Sequence, residues 1–377
     1  MPAARYTRRR KRPRSGFAAV ARGLFFVVVA LALLGGIAGG LARLGQVLPA
    51  AVHTDWSARA AVAHAALMIG GFLGTVIGIE RAMAVKRRSA FVAPMASGLG
   101  GLCLLFGNPA LAAQLLVLAG VAFVLVNVVV VTRQRAAHTV LLLIAALAWL
   151  TGNVLFATAA GSAAVLPWWF AFLVMTIAAE RLEMTRLMRR RPGAQASLYA
   201  VLAALLAGAA LSAFAAVPGG LLYGVALSLL AVWLGVYDIA WHTVRAQGLS
   251  RYMAICLLGG YAWLAVAGVA WAATALGLPA RDLALHALGL GFVFSMIMGH
   301  APVILPAVAR VKLQFGAAFY VPLALLHLSL VVRLGVGLID APMRSLGASL
   351  NAAAVALFAA TVVGAAVAWR VAHRVPH

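Results

Sequence analysis

Four histidines, His64, His286, His300 and His327, fall inside apolar stretches long enough to be buried in lipid. Imidazole is the commonest metal ligand and titrates near neutral pH, and in a membrane interior a polar group needs a partner or a purpose. The other five carry less: His53, His373 and His377 lie outside the apolar stretches, and His138 and His242 sit at stretch ends beside the interface. Read as helices at about 1.5 Å per residue, the second stretch carries His64 about two turns in, and the tenth carries His286 about one turn in from the same face. Two neutral imidazoles at matched depth can hold a haem iron from both sides. Alternatively, each hydrogen-bonds to a neighbouring helix.

His300 follows His286 by 14 residues, about 21 Å along the helix axis. A two-haem arrangement would need a second histidine at the same spacing after His64, and that position is Gly78. His327, near the middle of the eleventh stretch, falls between the depths of His286 and His300 and can share a site with either. Met68 follows His64 by four residues and Met296 precedes His300 by four, so each pair shares a helix face. Thioether and imidazole together suit copper, although methionine is also a common core filler. Arg333, six residues past His327, lies at the depth of His286, where a buried guanidinium needs an anion. Haem propionates would supply one through paired hydrogen bonds; snorkelling to the interface is the alternative.

The elements that must position these groups are helices across a bilayer. The 377 residues are 65% hydrophobic and 10% charged, with a mean hydropathy of +1.04. A span needs about 20 apolar residues, and twelve windows qualify, approximately 18–44, 58–80, 89–107, 109–131, 137–159, 164–185, 194–216, 219–241, 252–277, 282–304, 316–338 and 346–371. The expected fold is an all-α integral membrane bundle of about twelve transmembrane helices in one domain over 18–372. A basic cytoplasmic tail over 1–17 and a short cytoplasmic tail over 373–377 flank it.

The net charge of +23 is not a nucleic-acid signature, because of where it sits. Of 30 Lys and Arg, 25 fall in the N-terminal segment or in alternate connections, which is the positive-inside pattern. Arg43, Arg59, Arg281 and Arg344 are the four in the other connections, and Arg333 is inside a span. The pattern predicts both termini in the cytoplasm of a bacterial inner-membrane protein, with "RRRKRPR" (Arg8–Arg14) against anionic lipid. Cys103 and Cys256 lie inside spans with no CxxC partner, and the chain has no phosphate-binding loop or dinucleotide fingerprint.

An internal repeat recurs every fourth helix. "FLGTVIGIER" (Phe72–Arg81) matches "FLVMTIAAER" (Phe172–Arg181) at Phe, Leu, Ile, Glu and Arg, and "HAALMIGGF" from His64 compares with "HALGLGFVF" from His286. Three four-helix arcs about a pseudo-threefold axis would produce such spacing. The Glu80–Arg81 and Glu180–Arg181 pairs, with Glu183, read as neutralised helix contacts at the cytoplasmic end, with proton loading by the glutamates as the other reading, and Asp238 is a further candidate for such pairing.

With "HAALM" on helix two and a second histidine on helix ten, the chain resembles subunit I of the haem-copper oxidases, whose helix-two motif is His-Gly-x-x-Met. It is similar also to the NnrS family of haem- and copper-containing membrane proteins of the bacterial nitric oxide response, through the helix-two histidine, "HALGLGF" and the arginine of "VVRLGVG". A further bacterial membrane group carries "GGFLGTVIGIERA", "AERLE" and "GHAPVILPAV". The resemblance implies His64 and His286 as haem ligands, b-type if haem is present, with Arg333 toward a propionate and an electron-donor protein as partner. Helices six and seven contain no histidine, so an oxygen-reducing binuclear centre is not expected. The expected function is a haem or haem/copper membrane protein in nitric oxide or respiratory electron metabolism. The competing readings are a small-solute or metal-ion transporter with a histidine-lined path, and an assembly partner whose histidines bridge helices.

Overall fold

The computed structural model describes residues 16–46, 54–184, 192–309 and 311–373. Twelve helices among them are long and apolar enough to cross a membrane: α1 Gly23–Arg43, α2 His64–Val85, α3 Arg88–Leu105, α4 Pro109–Arg133, α5 Ala137–Ala157, α6 Ser162–Met184, α7 Ala194–Leu211, α8 Ala216–Tyr237, α9 Gly248–Ala275, α10 Arg281–Ala309, α11 Ala317–Leu338 and α12 Ala341–Ala372. The protein is therefore an all-α, multi-pass membrane bundle. Each helix packs on its neighbour in sequence, and α12 returns to contact α1, which closes the ring. The expected tails fall almost wholly outside the described residues.

One boundary differs from the sequence reading in a way that matters. The window 58–80 placed His64 two turns deep, whereas α2 begins at His64. The preceding residues form a separate short helix, Thr54–Val62, whose Asp55 and Arg59 keep it polar, and the chain breaks at Ala63. His64 thus stands at the mouth of the bundle, on what we call the histidine face; the opposite end, reached by Glu80 and Glu180, is the glutamate face.

Every fourth helix, α2, α6 and α10, turns polar groups inward. The two repeat copies that begin with histidine face each other: the His64 and His286 rings stand 6.1 Å apart, and eight residues on in each helix Phe72 stacks on Phe294 at 6.5 Å. At the glutamate face Arg81 of α2 meets Glu180 of α6 at 2.9 Å, and Arg181 of α6 meets His300 of α10 at 3.0 Å. Between the two ends the interior is mostly apolar, with Trp149 stacked on Phe172 and a few buried polar side chains such as Asn127 and Asn153.

Both histidine-bearing helices are wound as π-helix just past the histidine, over Leu67–Gly74 in α2 and Ala287–Phe294 in α10. A π segment sacrifices ideal α geometry and is found mostly at functional sites. The glycines there serve close approach: a Cβ on Gly71 would lie 3.1 Å from Gly101 Cα of α3, and one on Gly74 would clash with Trp149.

Candidate functional site at the histidine face

A cavity of about 620 Å³ opens at the histidine face, walled by α1, α2, α6, α10, α11 and α12. His64 and His286 both line it, with Phe72, Trp169, Phe170 and Phe294 on its apolar side. Its size is that of an ordinary small-molecule or cofactor pocket.

The hydrogen bonds fix how each imidazole presents itself. His64 Nδ1 donates to the Gly36 carbonyl of α1 at 2.7 Å, which leaves the Nε2 lone pair free. His286 Nδ1 lies 2.9 Å from Asp282 Oδ1, one turn back on α10. Acceptors only, these partners place the proton on Nδ1, and a metal-binding histidine is oriented in the same way, with the other nitrogen left to ligate. Metal–imidazole bonds are about 2.0–2.1 Å long, so two imidazoles this close could share one metal. The separation found is 6.1 Å.

Arg333 of α11 is only 7% exposed, and its anion is Asp282, gripped by Nε at 3.2 Å and by Nη2 at 2.9 Å. The sequence reading named the arginine without this partner; snorkelling is excluded by the burial. Arg333 Nη2 also comes within 3.2 Å of His286 Nε2, so the guanidinium holds the lone pair that a metal would use. Gly347 of α12 makes the placement possible, since a Cβ there would stand 2.5 Å from the Arg333 amide nitrogen.

Sequence reasoning missed the rest of the positive charge. Arg43, Arg281 and Arg344, passed over as exceptions to the charge alternation, line the same cavity as Arg333. Arg281 donates to Ser162 Oγ of α6 at 3.0 Å and Arg344 to the Gly337 carbonyl at 3.0 Å. Four guanidiniums against the single carboxylate of Asp282, with the histidines neutral, leave three positive charges on the cavity wall. Such a field selects an anion. The signal was present in the sequence: of the five arginines outside the cytoplasmic pattern, four converge here, while Arg59 packs near Gly107.

The structure does not bring His300 or His327 to this site. His300 donates from Nδ1 to the Met296 carbonyl at 2.7 Å and accepts at Nε2 from Arg181, so neither nitrogen is free. His327 accepts at Nδ1 from Trp263 Nε1–H at 2.9 Å, which moves its proton to Nε2 and removes that lone pair. It stands apart in a shallow apolar groove between α9 and α11. Met68 packs on Gly36 beside the cavity and Met296 fills the space over Gly260, the filler role. Among the described residues no three of His, Cys, Asp and Glu gather around a common point, so a metal at the histidine face would rest on the His64/His286 pair.

At the glutamate face Asp238, one residue beyond α8, is 2% exposed and accepts at Oδ1 from the Ala240 amide at 2.8 Å. Burial pushes its carboxyl above the ordinary value, opposed by the nearby Arg181 charge and that amide. His138 and Glu183 stand 3.6 Å apart alongside.

Residues 22–367 match the family described as Domain of unknown function (DUF8744), and the chain belongs to that family. No curated protein and no solved structure matches the chain.

Proposed function

We propose that this member of the family is an integral membrane haem protein of nitric oxide or respiratory electron metabolism, with one haem site at the histidine face, open to the outer side of a bacterial inner membrane. The observation that carries the reading is the facing pair His64 and His286, each held by its Nδ1 and 6.1 Å apart at a cavity of about 620 Å³. His64 and His286 would hold the iron, and Arg43, Arg281 and Arg344 would neutralise propionates. A bound haem supplies a one-electron couple whose potential depends on its axial ligands and surroundings. Asp282 raises the basicity of His286 by accepting from its Nδ1–H. Phe72 and Phe294 close the floor of the cavity against the apolar interior.

The test is the absorption spectrum of the purified full-length protein after haem-replete expression, air-oxidised and dithionite-reduced. The expected result is a Soret band that shifts on reduction and is lost in both His64→Ala and His286→Ala. A colourless protein with no iron would sink the reading.

A second reading, passage of a small anion, is favoured by the surplus of three positive charges at the cavity. It predicts uptake into reconstituted vesicles that fails in Arg43→Gln and Arg344→Gln, with no chromophore.

A further inference from the structure

The glutamate face carries more buried charge than its helix contacts consume. Arg81 is paired with Glu180 at 2.9 Å and lies 3.8 Å from Glu80. Glu80 and Glu180 keep side-chain exposures of 32% each, so water still reaches them. Asp238 has no such relief. Its Oδ2 is buried without a hydrogen-bond partner, and so are the Tyr261 hydroxyl of α9 and Arg181 Nε of α6. Asp238, Tyr261 and Arg181 are 2%, 4% and 6% exposed, and the three act on one another at close range. An unpaired polar atom at such burial is costly, and an unpaired charge more so.

The charge count makes Asp238 the place where this is relieved. Among the described residues, three carboxyls, Glu80, Glu180 and Asp238, stand against two guanidiniums, Arg81 and Arg181, while Glu183 is set against His138 at 3.6 Å. His300 cannot add a positive charge, because its Nδ1 proton is given to the Met296 carbonyl and its Nε2 lone pair receives Arg181. A buried carboxylate in surplus takes a proton. Asp238 already has one oxygen capped by the Ala240 amide, so the proton goes to the other.

We propose that Asp238 is a proton-binding site, loaded and emptied from the glutamate face, with Tyr261 and Arg181 setting its occupancy and the partly exposed Glu80/Glu180 rim leading to it. In loading, an O–H bond forms at Oδ2, the proton comes from water at that face, no electron moves, and the five charged groups pass from a net −1 to zero. The site is about 20 Å from the histidine pair, measured by the 14 residues between His286 and His300 at 1.5 Å each, and stands whether or not haem binds there.

The experiment is the pH-difference infrared spectrum of the full-length protein in liposomes. A protonated-carboxyl C=O band is expected that grows as pH falls and is absent from Asp238→Asn. Tyr261→Phe, close to isosteric, removes the hydroxyl beside the carboxylate that favours its charged form and should tighten proton binding about tenfold. A band that persists in Asp238→Asn, or disappears instead in Glu80→Gln or Glu180→Gln, overturns the proposal. Should Asp238→Asn not fold, an unchanged midpoint in Tyr261→Phe overturns it equally, as does the lack of any titrating band.

Discussion

At the scale of the residue, Asp282 shows how one carboxylate organises a site. It receives both Arg333 and His286 Nδ1, so removing its charge strands a guanidinium that is 7% exposed. Breaking a buried, hydrogen-bonded pair from one side costs about 2–5 kcal/mol, because the other charge stays behind; with Asp282 about a third exposed, Asp282→Ala should cost about 2–4 kcal/mol. Asp282→Ala combined with Arg333→Leu should recover part of it, since both ends of the pair are then gone. Thermal unfolding of the detergent-solubilised variants checks this, and equal loss in single and double variants would show that the pair is not what the arginine provides. Arg333 was legible in the sequence as a charge needing an anion, but its partner was not singled out. The signal was there, since Asp282 precedes His286 by four residues on one helix face. For His300 and His327 the partners were hidden for a related reason. Depth along a helix is readable from residue number, whereas whether a lone pair is already used depends on Arg181 and Trp263, which are remote in sequence.

At the scale of the element, the twelve helices were readable because lipid demands long apolar runs with internally satisfied backbones. Most ends fall within a few residues of the windows; the exception, α2, arose because the amphipathic Thr54–Val62 helix continues toward the span. The π segments were not readable. One extra residue per turn leaves composition unchanged, and the only trace was glycine clustering in "GGFLG" and "LGLGF". What α1 contributes was equally hidden. A Cβ on Gly40 would stand 2.9 Å from His64 Cε1 and 3.2 Å from Nδ1, tighter than packed atoms tolerate. Gly40→Ala should therefore push the imidazole off the Gly36 carbonyl. If the ring is an axial ligand, the Soret band weakens or shifts while the protein stays monodisperse. Gly364→Ala, with nothing within 4 Å of its new methyl, is the control and should leave the spectrum alone. A Gly40→Ala protein with wild-type spectrum would mean that His64 does not need this seat.

At the scale of the whole molecule, the placement of basic residues carries two messages that read as one along the chain. The 25 Lys and Arg of the N-terminal segment and alternate connections argue for orientation. Of the five exceptions, four line one cavity, where the positive-inside rule would have discarded them as noise. Both readings depend on the histidine face being the outer one, and twelve crossings put the two described ends of the chain, near Gly16 and His373, together on the other side. Single cysteines test that orientation directly. In a background lacking Cys103 and Cys256, Gly161→Cys lies in the exposed connection between α5 and α6 at the histidine face, and Gln247→Cys in that between α8 and α9 at the glutamate face. A membrane-impermeant maleimide added to intact spheroplasts should label the first and reach the second only after lysis. The reverse pattern would turn the arginine-lined cavity toward the cytoplasm, so that an anion entering it would come from inside the cell. It would also leave Asp238 exchanging protons with the outer side. The expected pattern instead sets an anion-attracting, histidine-bearing mouth on one side of the membrane and a proton-binding carboxyl on the other, joined by the same three helices, α2, α6 and α10.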